Sequence, residues 1–319
     1  MSDTTAPLEA ADGGEQSSLR AAALPETDIR DWIALLKPRV MSLVVFTGLI
    51  GLLVAPGRLH PVLAFTAVLC IAVAAGACGA INMWYDRDID AIMHRTRNRP
   101  IPTGRIEPGA ALGYGVTLAV GAVVVMYLAI NLAAAVVLAL SIAFYVFVYT
   151  VWLKRRTPQN IVIGGAAGAF PAVVGWAAVT GSVDMVPLIL FAIVFFWTPP
   201  HFWSLALFAN ADYQRAGVPM LPVVAGAKET RRQIVIYTLL LLPLSLAPWW
   251  IGFSGPVYGV AAILLGAGFL FSVLRVAFDK QDAAGVSLSN DAPARAAFRY
   301  SIVYLFVLFA ALAVDRLVG

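Results

Sequence analysis

Long apolar blocks alternate with short polar ones throughout this chain, and that alternation leaves it few ways to fold. A helix needs about 20 apolar residues to cross the hydrocarbon core of a bilayer. Nine segments approach or meet that length: 39–56, 61–81, 109–129, 132–152, 160–180, 186–209, 233–252, 256–278 and 298–317. Lipid offers no hydrogen bonds, so a spanning segment must satisfy its backbone internally, as an α-helix does. Hydrophobic residues make up 61% of the 319 and charged residues 13%, about half the charge of an ordinary soluble domain. The expectation is an all-α fold, a polytopic membrane bundle of nine transmembrane helices over residues 29–319. Only Asn131 marks a turn between the third and fourth spans.

Residues 1–28 carry Glu9, Asp12, Glu15 and Glu26 against a single Arg20. They lack the basic start and apolar core of a secretory signal and read as a disordered cytoplasmic tail.

The net charge of +4 does not point to nucleic acid, because the basic residues are sorted. With the amino terminus in the cytoplasm, 20 of the 22 Lys and Arg residues fall in inner segments, leaving only Arg58 and Arg316 outside. That is the positive-inside pattern of a multi-pass protein, and every polar constellation lies on the same inner side. Cys70 and Cys78 share one apolar block without metal-site spacing, and read as buried small hydrophobes.

Carboxylates at the end of an apolar helix are expensive, yet the second block closes on Asn82, Asp86 and Asp90. Their four-residue spacing lines one side of a helix over about 12 Å. Such oxygens can hold divalent cations, and those cations can hold a diphosphate. Arg95 and Arg99 follow at a spacing that can share a helical face, before Pro100 and Pro102, and can clamp phosphate or carboxylate oxygens. Solvated topology charges would explain the arginines but not the Asn and Asp spacing.

Three other segments extend the inner face. Asp212 opens the second long inner loop, where it can complete a metal site from across the bundle. His201, within Trp197-Thr-Pro-Pro-His201-Phe-Trp203, lies about 16 Å from Asp212 along a continuous helix and nearly on the same face. Its two prolines suggest a kink facing a cavity, and its expected role is proton handling or substrate contact. Lys154 is a candidate diphosphate contact in the run Lys154-Arg155-Arg156, where Arg155 and Arg156 are equally well read as topology charges. Asn160 begins the next span and can face the cavity. Gly164, Gly165, Gly168 and Gly175 are expected to let that helix pack closely on a neighbour.

At these residues the chain resembles the UbiA superfamily of membrane prenyltransferases. Asn82, Asp86 and Asp90 match its NxxxDxxxD diphosphate motif. The run Tyr149–Asn160, the Trp-Thr-Pro-Pro-His201 segment and Asp212-Tyr with Ala-Gly-Val-Pro-Met-Leu-Pro222 are similar to the heme-prenylating branch. The resemblance implies transfer of a farnesyl group from farnesyl diphosphate to a vinyl group of heme B, with water added, giving heme O and diphosphate. It implies Mg2+ held by Asp86 and Asp90 with Asn82, aided by Asp212, and a leaving group neutralised by Arg95, Arg99 and Lys154. The charge sorting puts the active site on the cytoplasmic side, of an inner membrane if the source is bacterial, and heme A synthase or a terminal oxidase assembly is the expected further partner. One departure weakens the second wall: Ala216 stands where many superfamily members carry the second acid of another DxxxD.

Two rival readings are a related prenyltransferase making a quinone or chlorophyll precursor and a secondary transporter. Transporters place ionisable groups at mid-membrane, whereas here the carboxylates crowd the inner edge.

Overall fold

The computed structural model describes residues 27–282 and 285–318. The expected 1–28 tail therefore lies almost wholly outside the described residues. A short helix α1 (Ile29–Leu35) leads into α2 (Pro38–Val54), followed by α3 (Pro61–Tyr85) and the short α4 (Arg87–Ile92). Next come α5 (Pro108–Ala129), α6 (Leu132–Ala143) with a π-helical continuation over Phe144–Leu153, α7 (Asn160–Thr180) and α8 (Met185–Phe208). Two short helices, α9 (Asn210–Arg215) and α10 (Leu221–Val224), precede α11 (Gly226–Trp250), α12 (Pro256–Ala277) and α13 (Ala292–Val318).

Eight of these helical rods are long and apolar enough to cross a membrane, and α2 supplies a shorter apolar ninth. The nine expected spans are thus all helices. α11 and α13 begin several residues earlier than their apolar blocks, because both helices continue beyond the apolar zone, with Lys228, Arg231 and Arg295 in the added stretches. Asn131 makes the turn before α6. Its Oδ1 accepts from Ala134 N–H at 2.8 Å, and its Nδ2 donates to the carbonyls of Ala177 and Ala178 at 3.0 Å.

α2 and α7 sit at the centre of the bundle and share two cores. One joins them to α8, α11, α12 and α13, and the other to α3, α5 and α6. Glycine makes the α2–α7 approach possible. A Cβ on Gly51 would strike the Ala172 carbonyl, and one on Gly175 the Gly48 carbonyl. On the same helix a Cβ at Gly164 would strike the Tyr149 ring, and one at Gly165 would lie 2.9 Å from Thr198 Cβ. Gly168 differs from the expectation. A Cβ there meets nothing within 4 Å, because the residue borders a cavity.

Candidate active site at the polar end of the bundle

The acidic row runs straight through a helix break. α3 ends at Tyr85 and α4 starts at Arg87, but Asp86 N–H still donates to the Asn82 carbonyl (2.9 Å) and Asp90 N–H to that of Asp86 (2.8 Å). The four-residue register therefore survives. Asp86 is 0% exposed, Asp90 3% and Asn82 4%. An ionised carboxylate so deeply buried must be paired and hydrogen-bonded.

Each one is paired. Lys154 Nζ contacts Asp86 Oδ2, and Arg155 lies 3.4 Å from Asp86 Oδ1. Asn82 Nδ2 donates to Asp86 Oδ2 at 2.8 Å and to Thr150 Oγ1 at 3.3 Å. Arg99 donates to Asp90 Oδ2 at 2.6 Å. The π-helical stretch delivers Thr150 and Lys154 to this row, and Lys154 N–H closes on the Tyr149 carbonyl at 2.9 Å, five residues back. π turns of this kind concentrate at functional sites.

Lys37 joins the cluster unannounced by the sequence. It occupies the junction of α1 and α2 with φ 52°, in the left-handed region that a non-glycine residue enters at a cost. Its Nζ donates to Asn82 Oδ1 at 2.7 Å. Burial, with repulsion from Arg99 and Lys154, lowers its pKa to about 7 against the attraction of Asp90 and Asp86. Arg155 is a second addition, bonding Asp88 at 2.7 Å and the Tyr85 carbonyl at 2.8 Å. In sequence both look like topology charges. The Lys37-Pro38-Arg39 step before the first span is the one local signal for Lys37.

The remaining expected residues divide. Asn160 opens α7 beside the cluster, with Nδ2 donating to the Thr157 carbonyl at 2.7 Å and Oδ1 buried without a hydrogen-bond partner among the described residues. Arg95 and Arg99 do not share a helix: α4 ends at Ile92, and the next residues form turns. The turns send Arg99 to Asp90, while Arg95 reaches the Tyr213 hydroxyl at 3.5 Å. Asp212 pairs with Arg215. Burial pushes its carboxyl up, but Arg215 and the backbone N–H groups of Arg95 and His94 outweigh this and hold it below the usual carboxylate range. The two inner loops are thereby joined at Asp212.

His201 does not lie on one continuous helix with Asp212, because α8 stops at Phe208 and α9 starts at Asn210. The two prolines are carried inside α8, and the imidazole is stacked between Trp197 (4.3 Å) and Phe298 (4.6 Å). Its Nδ1 is 2.7 Å from Ser301 Oγ. Both ring faces and one nitrogen are thus engaged, leaving the Nε2 edge for any further role.

From Lys37 an apolar cavity enters the bundle between α2, α3, α6 and α7. Ile71, Cys78, Leu138, Tyr145, Gly168 and Val174 are among its walls. Ile71 precedes Asn82 by 11 residues, so the cavity reaches about 16 Å along α3 from the acidic row. Charge at the mouth and hydrocarbon behind it suit an amphiphile with an anionic head.

The UbiA prenyltransferase family model matches residues 44–302. The chain belongs to the UbiA prenyltransferase family. Among curated relatives of this UbiA chain, the protoheme IX farnesyltransferase of Granulibacter bethesdensis is 68% identical, over 96% of this chain and 97% of its own. The protoheme IX farnesyltransferase of Acidiphilium cryptum is 64% identical, over 93% and 97%. Solved structures share the UbiA fold at low identity. An apo UbiA homolog from Aeropyrum pernix K1 superposes with TM-score 0.68 at 17% identity, covering 87% of this chain and 98% of that one. A UbiA homolog from Archaeoglobus fulgidus, bound to GPP and Mg2+, gives TM-score 0.59 at 17% identity, covering 88% and 99%.

The donor set of this UbiA chain fits a hard divalent cation that arrives with its substrate. Among the described residues, no three His, Cys, Asp or Glu side chains gather as a protein cage. Magnesium asks for less, one or two carboxylates with the remaining positions filled by water and substrate phosphates. Asp86, Asp90, the Asn82 amide oxygen and the unpartnered Asn160 Oδ1 are oxygen donors of that kind.

Proposed function

We propose that this UbiA enzyme transfers the farnesyl group of farnesyl diphosphate to a vinyl group of heme B, with addition of water, forming heme O and diphosphate. The observation that carries this reading is the 68% identity to a protoheme IX farnesyltransferase over 96% of the chain. Two features support it: buried carboxylates beside Lys37, Lys154 and Arg99, and the apolar cavity behind them.

Asp86 and Asp90 would hold Mg2+, with Asn82 as a further ligand or orienting group and Asp212 steadying the opposite loop. When bound, the cation lowers the charge of the diphosphate and makes it a better leaving group. Lys37, Lys154, Arg95, Arg99 and Arg155 neutralise oxygens that gain charge as the allylic C–O bond breaks, an electrostatic contribution that needs no rearrangement at the moment of reaction. Asn160 would orient the metal-bound head group by offering its spare amide oxygen to the cation or its waters. The cavity holds the isoprenoid tail and keeps water from the farnesyl cation. The heme vinyl carbon supplies the electron pair for the new C–C bond, and the resulting cation takes up water and releases a proton. His201, through its Nε2 edge, contacts heme or accepts that proton. The site faces the cytoplasm of an inner membrane, as the charge sorting favours.

The test is incubation of membranes containing the protein with heme B, farnesyl diphosphate and Mg2+, with pigments analysed by mass. Hydroxyethylfarnesyl heme is the expected product. Its absence from correctly folded protein, or prenylation of a quinone precursor instead, would overturn the reading.

A further inference from the structure

A second polar site lies at the same end of the bundle, outside the prenyl-transfer machinery. A pocket of about 360 Å³ opens where α12 ends and α13 begins, with Arg275, Phe278, Asp279, Lys280, Leu288 and Ser289 among its lining residues. The connecting segment folds back on itself to form it. Leu288 N–H donates to the Lys280 carbonyl at 2.8 Å, and Gln281 pairs with Ser287 in an antiparallel bridge.

The acid in this pocket is spent. Asp279 Oδ2 accepts from Ser287 at 2.6 Å and Oδ1 from Ser289 at 2.7 Å, while buried Arg231 lies 3.8 Å away. The ion pairs at this end engage Arg231 with Asp279 and Asp291, and Arg232 with Glu229. Arg275 and Lys280 take part in none of them, and both are exposed. The pocket therefore presents two exposed cations that lie outside this ion-pair network.

Its surroundings are apolar. Phe278 is 81% exposed and Leu288 68%. Arg275 occupies the last turn of a membrane-length helix, the depth at which lipid head groups meet a spanning protein. Basic pockets between spans, with hydrocarbon beside them, bind anionic head groups.

We propose that Arg275 and Lys280 form a site for the phosphodiester of an anionic phospholipid, with Phe278 and Leu288 against its acyl chains. The ligand is a resident lipid of the leaflet on the active-site side, distinct from either reactant.

Native mass spectrometry of the full-length protein in micelles with equal phosphatidylglycerol and phosphatidylcholine tests this. The wild type is expected to retain phosphatidylglycerol roughly tenfold over phosphatidylcholine. R275Q/K280Q should bring the ratio near one, whereas K228Q/R232Q, with the same loss of charge at the same end, should preserve it. No preference in the wild type, or an unchanged preference in R275Q/K280Q, would overturn the proposal. Glycerol phosphate displacing the lipid as well as short-chain phosphatidylglycerol does would make this a soluble-phosphate site instead. Should the double variant not fold, a photoactivatable phosphatidylglycerol on unaltered protein should label residues 271–293, and labelling confined elsewhere would contradict the assignment.

Discussion

Lys37 Nζ donates a 2.7 Å hydrogen bond to Oδ1 of Asn82, 45 positions along the chain. That bond ties the start of the first span to the head of the acidic row, and places a half-buried amino group where the row meets the apolar cavity. K37M keeps the bulk of the side chain and removes the charge. It should raise KM for farnesyl diphosphate by about 10- to 100-fold, the worth of a charge-assisted hydrogen bond, while leaving KM for heme B nearly unchanged. Steady-state kinetics with each substrate varied in turn checks this, and an equal rise for both would remove Lys37 from the diphosphate.

Asp86 and Asp90 carry the heaviest demand. D86N and D90N keep side-chain volume, so both proteins should insert and run as single species in size-exclusion chromatography. Turnover should fall at least about a hundredfold in each. Near-normal rates in both variants would dismiss the metal assignment.

Arg155 and Arg156 are neighbours with opposite expected outcomes. Arg155 touches Asp86 and Asp88, and its guanidinium covers the Tyr85 ring at 4.8 Å. Arg156 is exposed. R155Q should lower activity by about tenfold or more, whereas R156Q should change it less than about twofold. The reverse order in a side-by-side assay would mean the cationic wall is misplaced.

Gly168 and Gly175 lie on one helix and should also respond differently. A methyl group at Gly175 meets the Gly48 carbonyl, so G175A should cost about 1–3 kcal/mol of stability from overpacking, visible as a lower melting temperature. The space beside Gly168 is open, so G168L should fold normally. It should shorten the cavity, favouring geranyl over farnesyl diphosphate in competition. Unchanged chain-length preference in G168L would place the tail elsewhere.

These pairs show where sequence reasoning reaches and where it stops. The spans are legible because a bilayer imposes one length on every helix that crosses it. The row Asn82, Asp86 and Asp90 is legible because its spacing equals a helical repeat, and because charge at the end of an apolar helix has no packing explanation. Lys37 and Arg155 escape, since a cation flanking a span looks the same whether it fixes topology or faces a carboxylate brought near by folding. The breaks at Asp86 and Ala209 carry no proline or glycine, so a continuous run from His201 to Asp212 is the natural reading of the sequence. Gly168 is indistinguishable from Gly164 and Gly165 until the neighbouring helices are in place.

In the proposed reaction Asp86 and Asp90 grip a metal-bound diphosphate whose tail enters the cavity beside Gly168. A structure of the protein with Mn2+ and farnesyl thiodiphosphate, with anomalous density locating the metal, tests it most directly. The expected map has a metal peak touching both carboxylates, Lys37 and Lys154 turned to the diphosphate, and isoprenoid density between Ile71 and Gly168. A metal peak away from both aspartates, or a tail running outside the α2–α3–α6–α7 cavity, would contradict it.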